Sequence, residues 1–361
     1  AAGPARLYNF MKGGGRELVR VGDLGEFGLI KRLDAIVRES SNPRLLFGIG
    51  DDAAAWEPEP GTVTVATTDC LIEGVHFDLA TTSWTDLGWK ALAENLSDVA
   101  AMGCRPRYAL IGLALPNDRL LEDAEALYRG FAQCGAEYNC SIVGGDTVAS
   151  PIVSLHVTVV GESLPSVDEP RLLKRSSAQP GDSVAVTGPL GGSAAGLRLL
   201  QRGPGREARR APDEALIESH LRPRPRVIVG LALVEAGIRC AIDVSDGLLA
   251  DLGHICERSY VNAEIDLARI PIDPAVVAEF RSEATDFALS GGEDYELIAV
   301  GPEACLEQAS TTLSELGEPA LIIIGTIVSS DDHGTVQIRN ADGQPLKLGR
   351  AGYEHFAIAK P

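Results

Sequence analysis

Phe27, Ile30, Leu33, Ile36 and Val37 recur at helical spacing in EFGLIKRLDAIVR, which predicts a helix over residues 26–38. In TVTVATTD, Val63 and Val65 alternate with threonines, a strand ending on Asp69. Thr85 or Asp86 can cap a helix that runs to about Met102 and stops at Gly103. RYALIGLALP reads as a buried strand, residues 118–138 as an amphipathic helix, CSIVGGDT as a strand running into a turn, and IVSLHVTVVG as an alternating strand. Residues 164–177 are irregular, with two prolines and mixed charge, and a domain boundary is expected there. Beyond it come the strand SVAVTG, the glycine turn and helix GPLGGSAAGLRLL, an Arg/Gly/Pro-rich loop and a helix over 224–236. CAIDVSDG is a strand into a turn, 248–258 a helix, SGGEDYELIAV a turn into a strand, 303–316 a helix, and LIIIGTIV and TVQIR are strands. Strands and helices mix without strict βαβ alternation. The expected class is therefore mixed α/β (α+β), with a flexible tail over 1–24, one domain over 25–165 and another over 166–361.

Lys plus Arg is 32 and Asp plus Glu is 51, a formal charge of −19, which excludes a binder that relies on a broad basic surface for nucleic acid. No run approaches the roughly 20 apolar residues of a membrane span, and the first residues lack a signal peptide's apolar core. The seven cysteines are scattered, odd in number and without a CxxC pair, which fits a reducing cytoplasm and gives no sign of zinc.

Charge matters most where it collects. Asp51 and Asp52 (GIGDD), Asp69 (TTD), Asp146 (GGDT), Asp243 and Asp246 (IDVSDG), and Glu293 and Asp294 (GGEDYE) each fall where an apolar run meets a turn, and Asp98 lies on a helix among small residues. Singly, such an aspartate caps a helix or makes an Asx-turn. As a set, with few lysines near, they suggest a shared cation site. Two carboxylates 4 Å apart repel by about 4 kcal/mol at an effective dielectric of about 20. Hard oxygen donors select Mg²⁺, Mn²⁺ or Ca²⁺ over zinc. Several Mg²⁺ ions clamping a polyphosphate are the expected chemistry. GGDT and GPLGGSAAG could add phosphate-binding amides, although tight packing explains a glycine turn equally well. No Walker A loop, protein-kinase HRD or DFG element, HExxH or GxSxG elbow is present. Scattered arginines such as Arg175 would assist the metal. His76, seven residues after Asp69, is a candidate substrate contact, and Tyr353 a candidate stacking face.

In order along residues 25–356, the strings GEFGLI, GIGDDAA, TTDCLIEGVHF, KALAENLSDVAAMG, IGGDT, RSSAQPGD, TGPLGGSAAGL, HLRPRPR, AIDVSDGLLADLGHI, SGGEDYEL and GYEHF resemble the motifs of the thiamine-monophosphate kinase family. That family sits in the superfamily of aminoimidazole ribonucleotide synthetase and selenophosphate synthetase. The resemblance implies two α/β domains, with N-terminal strands pairing across a homodimer, and ATP-dependent phosphorylation of thiamine monophosphate by direct transfer. It implies magnesium ligands at Asp52, Thr67, Thr68, Asp69, Asp98, Asp146, Asp243 and Asp246. It further implies ATP contacts at Gly145, Asp146, Arg175 and Ser245, and substrate contacts at His76, Glu293 and Tyr353. No general base is expected, because the attacking phosphate oxygen is already anionic. The alternative is another ATP-dependent enzyme of the superfamily, such as aminoimidazole ribonucleotide synthetase. A selenophosphate synthetase would carry a reactive cysteine before GIGDD, and none is there.

Overall fold

The computed structural model describes residues 18–38, 42–202, 211–329, 332, 334–340, 342–346 and 352. The chain opens with α1 (Val21–Val37), β1 (Leu45–Phe47), β2 (Ala55–Trp56), β3 (Thr64–Ile72), α2 (Trp84–Ala101), β4 (Arg105–Leu115), α3 (Leu121–Tyr138), β5 (Ser141–Ala149) and β6 (Ser154–Glu162). Strands β3, β6, β4 and β5 lie side by side in that order, antiparallel except for the parallel β4/β5 pair. Helices α2 and α3 cover one face, burying Leu92, Leu96, Leu127 and Phe131 against Ile111, Leu113, Leu155 and Val157.

After the connection over 163–182, β7 (Ser183–Val186), α4 (Gly192–Gln201), α5 (Ala211–Leu221), α6 (Val227–Glu235), β8 (Cys240–Asp243) and α7 (Leu248–Ser259) follow. Then come β9 (Asn262–Asp266), α8 (Pro274–Phe280), α9 (Ala284–Ser290), β10 (Leu297–Gly301), α10 (Glu303–Glu315), β11 (Ile322–Val328) and β12 (Val336–Arg339). The second sheet runs β12-β9-β11-β7-β10-β8, antiparallel but for β12/β9. Its strands β7, β8 and β10 are buried along their whole length, so they lack the polar alternation of a half-exposed strand.

Several local readings change. Helix α1 starts at Val21, so the end of the expected tail is helical, and its residues 1–17 lie outside the described residues. Its buried line is Leu29, Leu33 and Val37, while Phe27 is 82% exposed. Ser83, not Thr85 or Asp86, caps α2, accepting the Asp86 N–H. Strand β3 runs past Asp69 to Ile72, and β5 runs through Gly145 and Asp146 to Ala149, because each stays paired with its neighbour over that length. Helix α5, over APDEALIESHL, starts at the end of the expected Arg/Gly/Pro-rich loop and runs through residues where no element was expected. The Arg-rich residues 206–210 lie outside the described residues.

Helix α2 is the centre of the molecule. A Cβ on Gly88 would lie 2.0 Å from the Leu127 carbonyl oxygen, and one on Gly130 would lie 2.0 Å from that of Thr85. The two glycines are reciprocal contacts that bring the α2 and α3 backbones together. On another side, Gly230 of α6 meets the Ala100 carbonyl oxygen, where a Cβ would approach to 2.1 Å. Gly88→Ala and Gly130→Ala are each expected to destabilise the protein by about 1–3 kcal/mol through overpacking. Thermal unfolding reads this as a fall in Tm; an unchanged Tm in both would contradict the packing described.

Candidate active site

The helix face that points into the space between the sheets is charged. Lys90, Glu94 and Asp98 follow one another at i, i+4 spacing along α2, with Ser97 beside them. Thr67 of β3 donates its hydroxyl to Asp98 Oδ2 at 2.5 Å. Asp69, two residues on, shares the Thr67 face by strand alternation. Burial and then the Asp98 charge push its carboxyl up to about 6. Burial raises Asp98 too, against the Thr67 hydrogen bond and the Arg175 charge. Across the gap, Ser97 donates to Asp243 Oδ2 at 2.7 Å, at the end of β8. Burial and the Asp98 charge push Asp243 up to about 7, while Ser97 and Arg175 oppose them. A cleft of about 640 Å³ opens here, lined by Thr67, Asp98, Lys174, Arg175, Ser176 and His254 among others.

The turn after β8 closes one end. Asp251 Oδ2 accepts the backbone N–H groups of Ser245, Asp246 and Gly247 at 3.1, 3.1 and 3.0 Å. Burial first, then the Asp243 and Asp246 charges, push Asp251 up to about 8. Ligand atoms of Asp246, Asp251 and His254 lie within 4.8 Å of one another. Against this turn lies a second one. Glu293 N–H donates to Ser245 O at 2.8 Å, and Glu293 and Tyr295 take left-handed φ values of 66° and 52°. Non-glycine residues held there are strained and collect at functional sites. Glu293 Oε1 pairs with Lys90 Nζ at 2.9 Å, and Oε2 lies 3.3 Å from His220 Nδ1. Burial alone would raise this carboxyl, but the Lys90 ammonium and His220 outweigh it and hold it at about 2. Glu94 goes the other way: burial, opposed by Lys90 but reinforced by Glu293 and Asp69, pushes it up to about 8.

The structure thus brings Thr67, Asp69, Asp98, Asp243 and Arg175 together, with Ser245, Asp246 and Glu293 on the adjoining turns. It does not bring every candidate there within one chain. Thr68 points to the opposite sheet face, where its hydroxyl donates to Val157 O at 3.1 Å and accepts from Thr158 at 2.9 Å. Cross-strand pairing of Cys70, His156, Gly112 and Asp146 puts Asp146 on that face as well. Gly145 beside it is required by close approach, since a Cβ would lie 1.9 Å from Ile111 O. Asp52 is exposed in the loop after β1, its N–H bonded to Asp51. His76 is half-buried in the turn after β3, where Nδ1 accepts the Ile72 N–H at 3.1 Å. Tyr353 lies outside the described residues. The glycine turn before α4 is already satisfied: Asp294 accepts the N–H groups of Gly191 and Ser193 at 2.7 and 3.0 Å. Sequence reading missed Lys90, Glu94, Asp251, His220 and Tyr295. The i, i+4 spacing of Lys90, Glu94 and Asp98 is the one local signal that points to any of them.

The donor set fits a hard divalent cation. Asp69, Asp98 and Asp243 offer carboxylate oxygens, the Asp98 charge raises the proton affinity of the other two, and Arg175 is the cation that opposes the rise at Asp98 and Asp243.

The family described as AIR synthase related protein, N-terminal domain, matches residues 50–163, and its C-terminal domain matches residues 179–338. Thiamine-monophosphate kinase of Escherichia coli (strain K12) is 42% identical over 340 residues, covering 92% of this chain and 98% of that protein. The enzyme of that name from Haemophilus influenzae is 36% identical over 344 residues, covering 93% and 99%. Among solved structures, thiamine-monophosphate kinase from Stenotrophomonas maltophilia K279a superposes with a TM-score of 0.77 at 40% identity, covering 89% of this chain and 98% of that one. AaThiL complexed with AMPPCP and TMP gives a TM-score of 0.71 at 33% identity, covering 94% and 99%.

The raised carboxyls set a pH dependence. A group whose folded pKa exceeds its unfolded value favours the native state below the unfolded pKa, and that advantage is lost as pH rises through the folded value. With chelator present, stability is expected to fall as pH climbs from about 4 through the values of about 6 and 7 held by Asp69 and Asp243. Glu293, held at about 2, opposes the decline only at the acid end of this window, where its unfolded carboxyl still titrates, and is constant once pH is well above about 4.5. Asp69→Asn and Asp243→Asn should each flatten the decline and raise the Tm at pH 8 in thermal melts. A wild-type Tm that rises over the same interval would count against the cluster.

Proposed function

The chain belongs to the thiamine-monophosphate kinase family, and from that premise we propose that it transfers the γ-phosphate of ATP to thiamine monophosphate, giving thiamine diphosphate and ADP. The observation that carries the reading is the gathering of Asp69, Asp98 and Asp243, with Arg175, at the interdomain cleft that Asp98 and Arg175 line. A phosphate oxygen of the acceptor bonds to the γ-phosphorus, the bond from that phosphorus to the ADP oxygen breaks, and ADP leaves. Because the attacking oxygen is already anionic, no side chain needs to remove its proton, and none in the cleft is assigned that task. The obstacle is repulsion between two anions.

Asp69, Asp98, Asp243 and Asp246, together with Asp52, Thr67, Thr68 and Asp146, are the oxygen donors assigned to several magnesium ions. Such ions, when bound, neutralise phosphate charge. Arg175, the Ser245 turn, Gly145 and Asp146 are assigned to ATP, and His76, Glu293 and Tyr353 to the acceptor. The buried Asp251 carboxyl fixes the backbone of the Ser245–Gly247 turn, so this part of the site is set before any ligand arrives. A homodimer in the cytoplasm completes the reading. The face of the first sheet away from α2 and α3 is exposed along β3, at Thr64, Ala66, Thr68 and Cys70, which supports a partner there, and so does the placement of Thr68 and Asp146 on that face.

ADP release is expected to require both Mg²⁺ and thiamine monophosphate. Asp69→Asn and Asp98→Asn should each lower turnover roughly a hundredfold or more while the circular dichroism stays native. Turnover of a ribonucleotide amidine in place of thiamine monophosphate would reject the assignment in favour of the aminoimidazole ribonucleotide synthetase reaction.

A further inference from the structure

Lys90 is 2% exposed, a placement that a charged lysine tolerates only when paired. Its ion pair is with Glu293 Oε1 at 2.9 Å. The other Glu293 oxygen lies 3.3 Å from His220 Nδ1, and that nitrogen is 3.0 Å from Ser193 Oγ. Ser193 is fixed in turn, since its N–H donates to Asp294. Helices α2 and α5, far apart in the chain, therefore converge on one carboxylate in the turn before β10, and α4 supports His220 from behind. The Glu293 side chain is still 31% exposed, whereas Lys90 and His220 behind it are 2% and 7% exposed. A carboxylate has about four acceptor sites. Lys90 and His220 take one on each oxygen, leaving acceptor capacity for a ligand.

Building on the kinase reading, we propose that Lys90 is the positioning residue for Glu293, and that His220 and Ser193 are its support. Together they keep that carboxylate ionised and aimed as an acceptor for the organic half of the acceptor substrate. The thiazolium charge and exocyclic amine of thiamine monophosphate are the kind of groups such an acceptor recognises. Lys90 acts through Glu293 and touches neither phosphate.

Steady-state kinetics with each substrate varied separately tests this. Lys90→Met should raise KM for thiamine monophosphate about ten- to hundredfold, the range for losing a charge-assisted hydrogen bond. KM for ATP should stay near the wild-type value. Lys90→Arg should recover most of the loss. His220→Ala should raise the same KM, and His220→Asn, whose amide can donate from the Nδ1 position, should restore it. If Lys90→Met fails to fold, Lys90→Met combined with Glu293→Gln removes both charges together. That double variant should match Glu293→Gln alone in KM for thiamine monophosphate, because the two residues act as one. Equal changes in both KM values, a KM for thiamine monophosphate unmoved by Lys90→Met, or a double variant much worse than Glu293→Gln would each overturn the proposal. The kinase reading fails separately, through a wild-type protein that does not turn over thiamine monophosphate.

Discussion

Carboxylates drawn out of water repel one another, and this protein concentrates that repulsion along one helix face. Asp98 raises Asp69 and Asp243, Asp243 and Asp246 raise Asp251, and Asp69 and Glu293 raise Glu94. Each interaction follows burial as the leading cause. Such an arrangement is unfavourable unless protons or cations neutralise it. The fold tolerates the arrangement because the rest of α2 is packed closely enough to fix where the charges stand.

The packing is as demanding as the charge. Backbone carbonyls of α2 meet Gly130 on one side and Gly230 on the other, and Gly88 receives the carbonyl of Leu127. Helix α2 thus has little freedom to roll or slide. A small rotation would move Ser97 from Asp243, Asp98 from Thr67 and Lys90 from Glu293 together, because all three side chains leave one side of the same helix. The site's geometry is a property of helix contacts on the faces that carry no charge.

Much of this was legible in the chain, within definite limits. Hydrophobic periodicity gave the long helices and most strands, since burial on one face leaves a regular mark. Helix α5 was hidden because its apolar residues do not follow one face and an Arg/Gly/Pro-rich stretch precedes it. The sequence marks Asp69 and Asp146 as strand ends because glycine and aspartate normally break strands. Tertiary pairing overrode that preference, with Gly145 itself pressed against Ile111. Strand alternation, which needs a known register, separates Asp69 from Thr68 and Asp146. The partners of Glu293 lie about 70 to 200 residues away in the chain, and no local pattern connects them.

The tetrapeptide Glu293–Asp294–Tyr295–Glu296 shows how one short turn serves both stability and chemistry. Its four side chains go to four different places. Glu293 goes to Lys90 and His220, Asp294 to the amides that start α4, Tyr295 toward Glu94, and Glu296 to Arg226 and Thr187. Two adjacent half-buried acids end with opposite tendencies: Glu293 is held at about 2 and Asp294 is pushed up to about 7. The difference lies in their partners. A full ammonium charge at 2.9 Å overcomes desolvation at Glu293. At Asp294, backbone dipoles lower the proton affinity but do not overcome burial, and Glu296 and Glu293 add to the rise. The left-handed backbone at Glu293 and Tyr295 turns these neighbouring side chains apart. The strain is sustained because the turn is anchored at both ends, by Ser245 O at Glu293 and by β10 after Glu296.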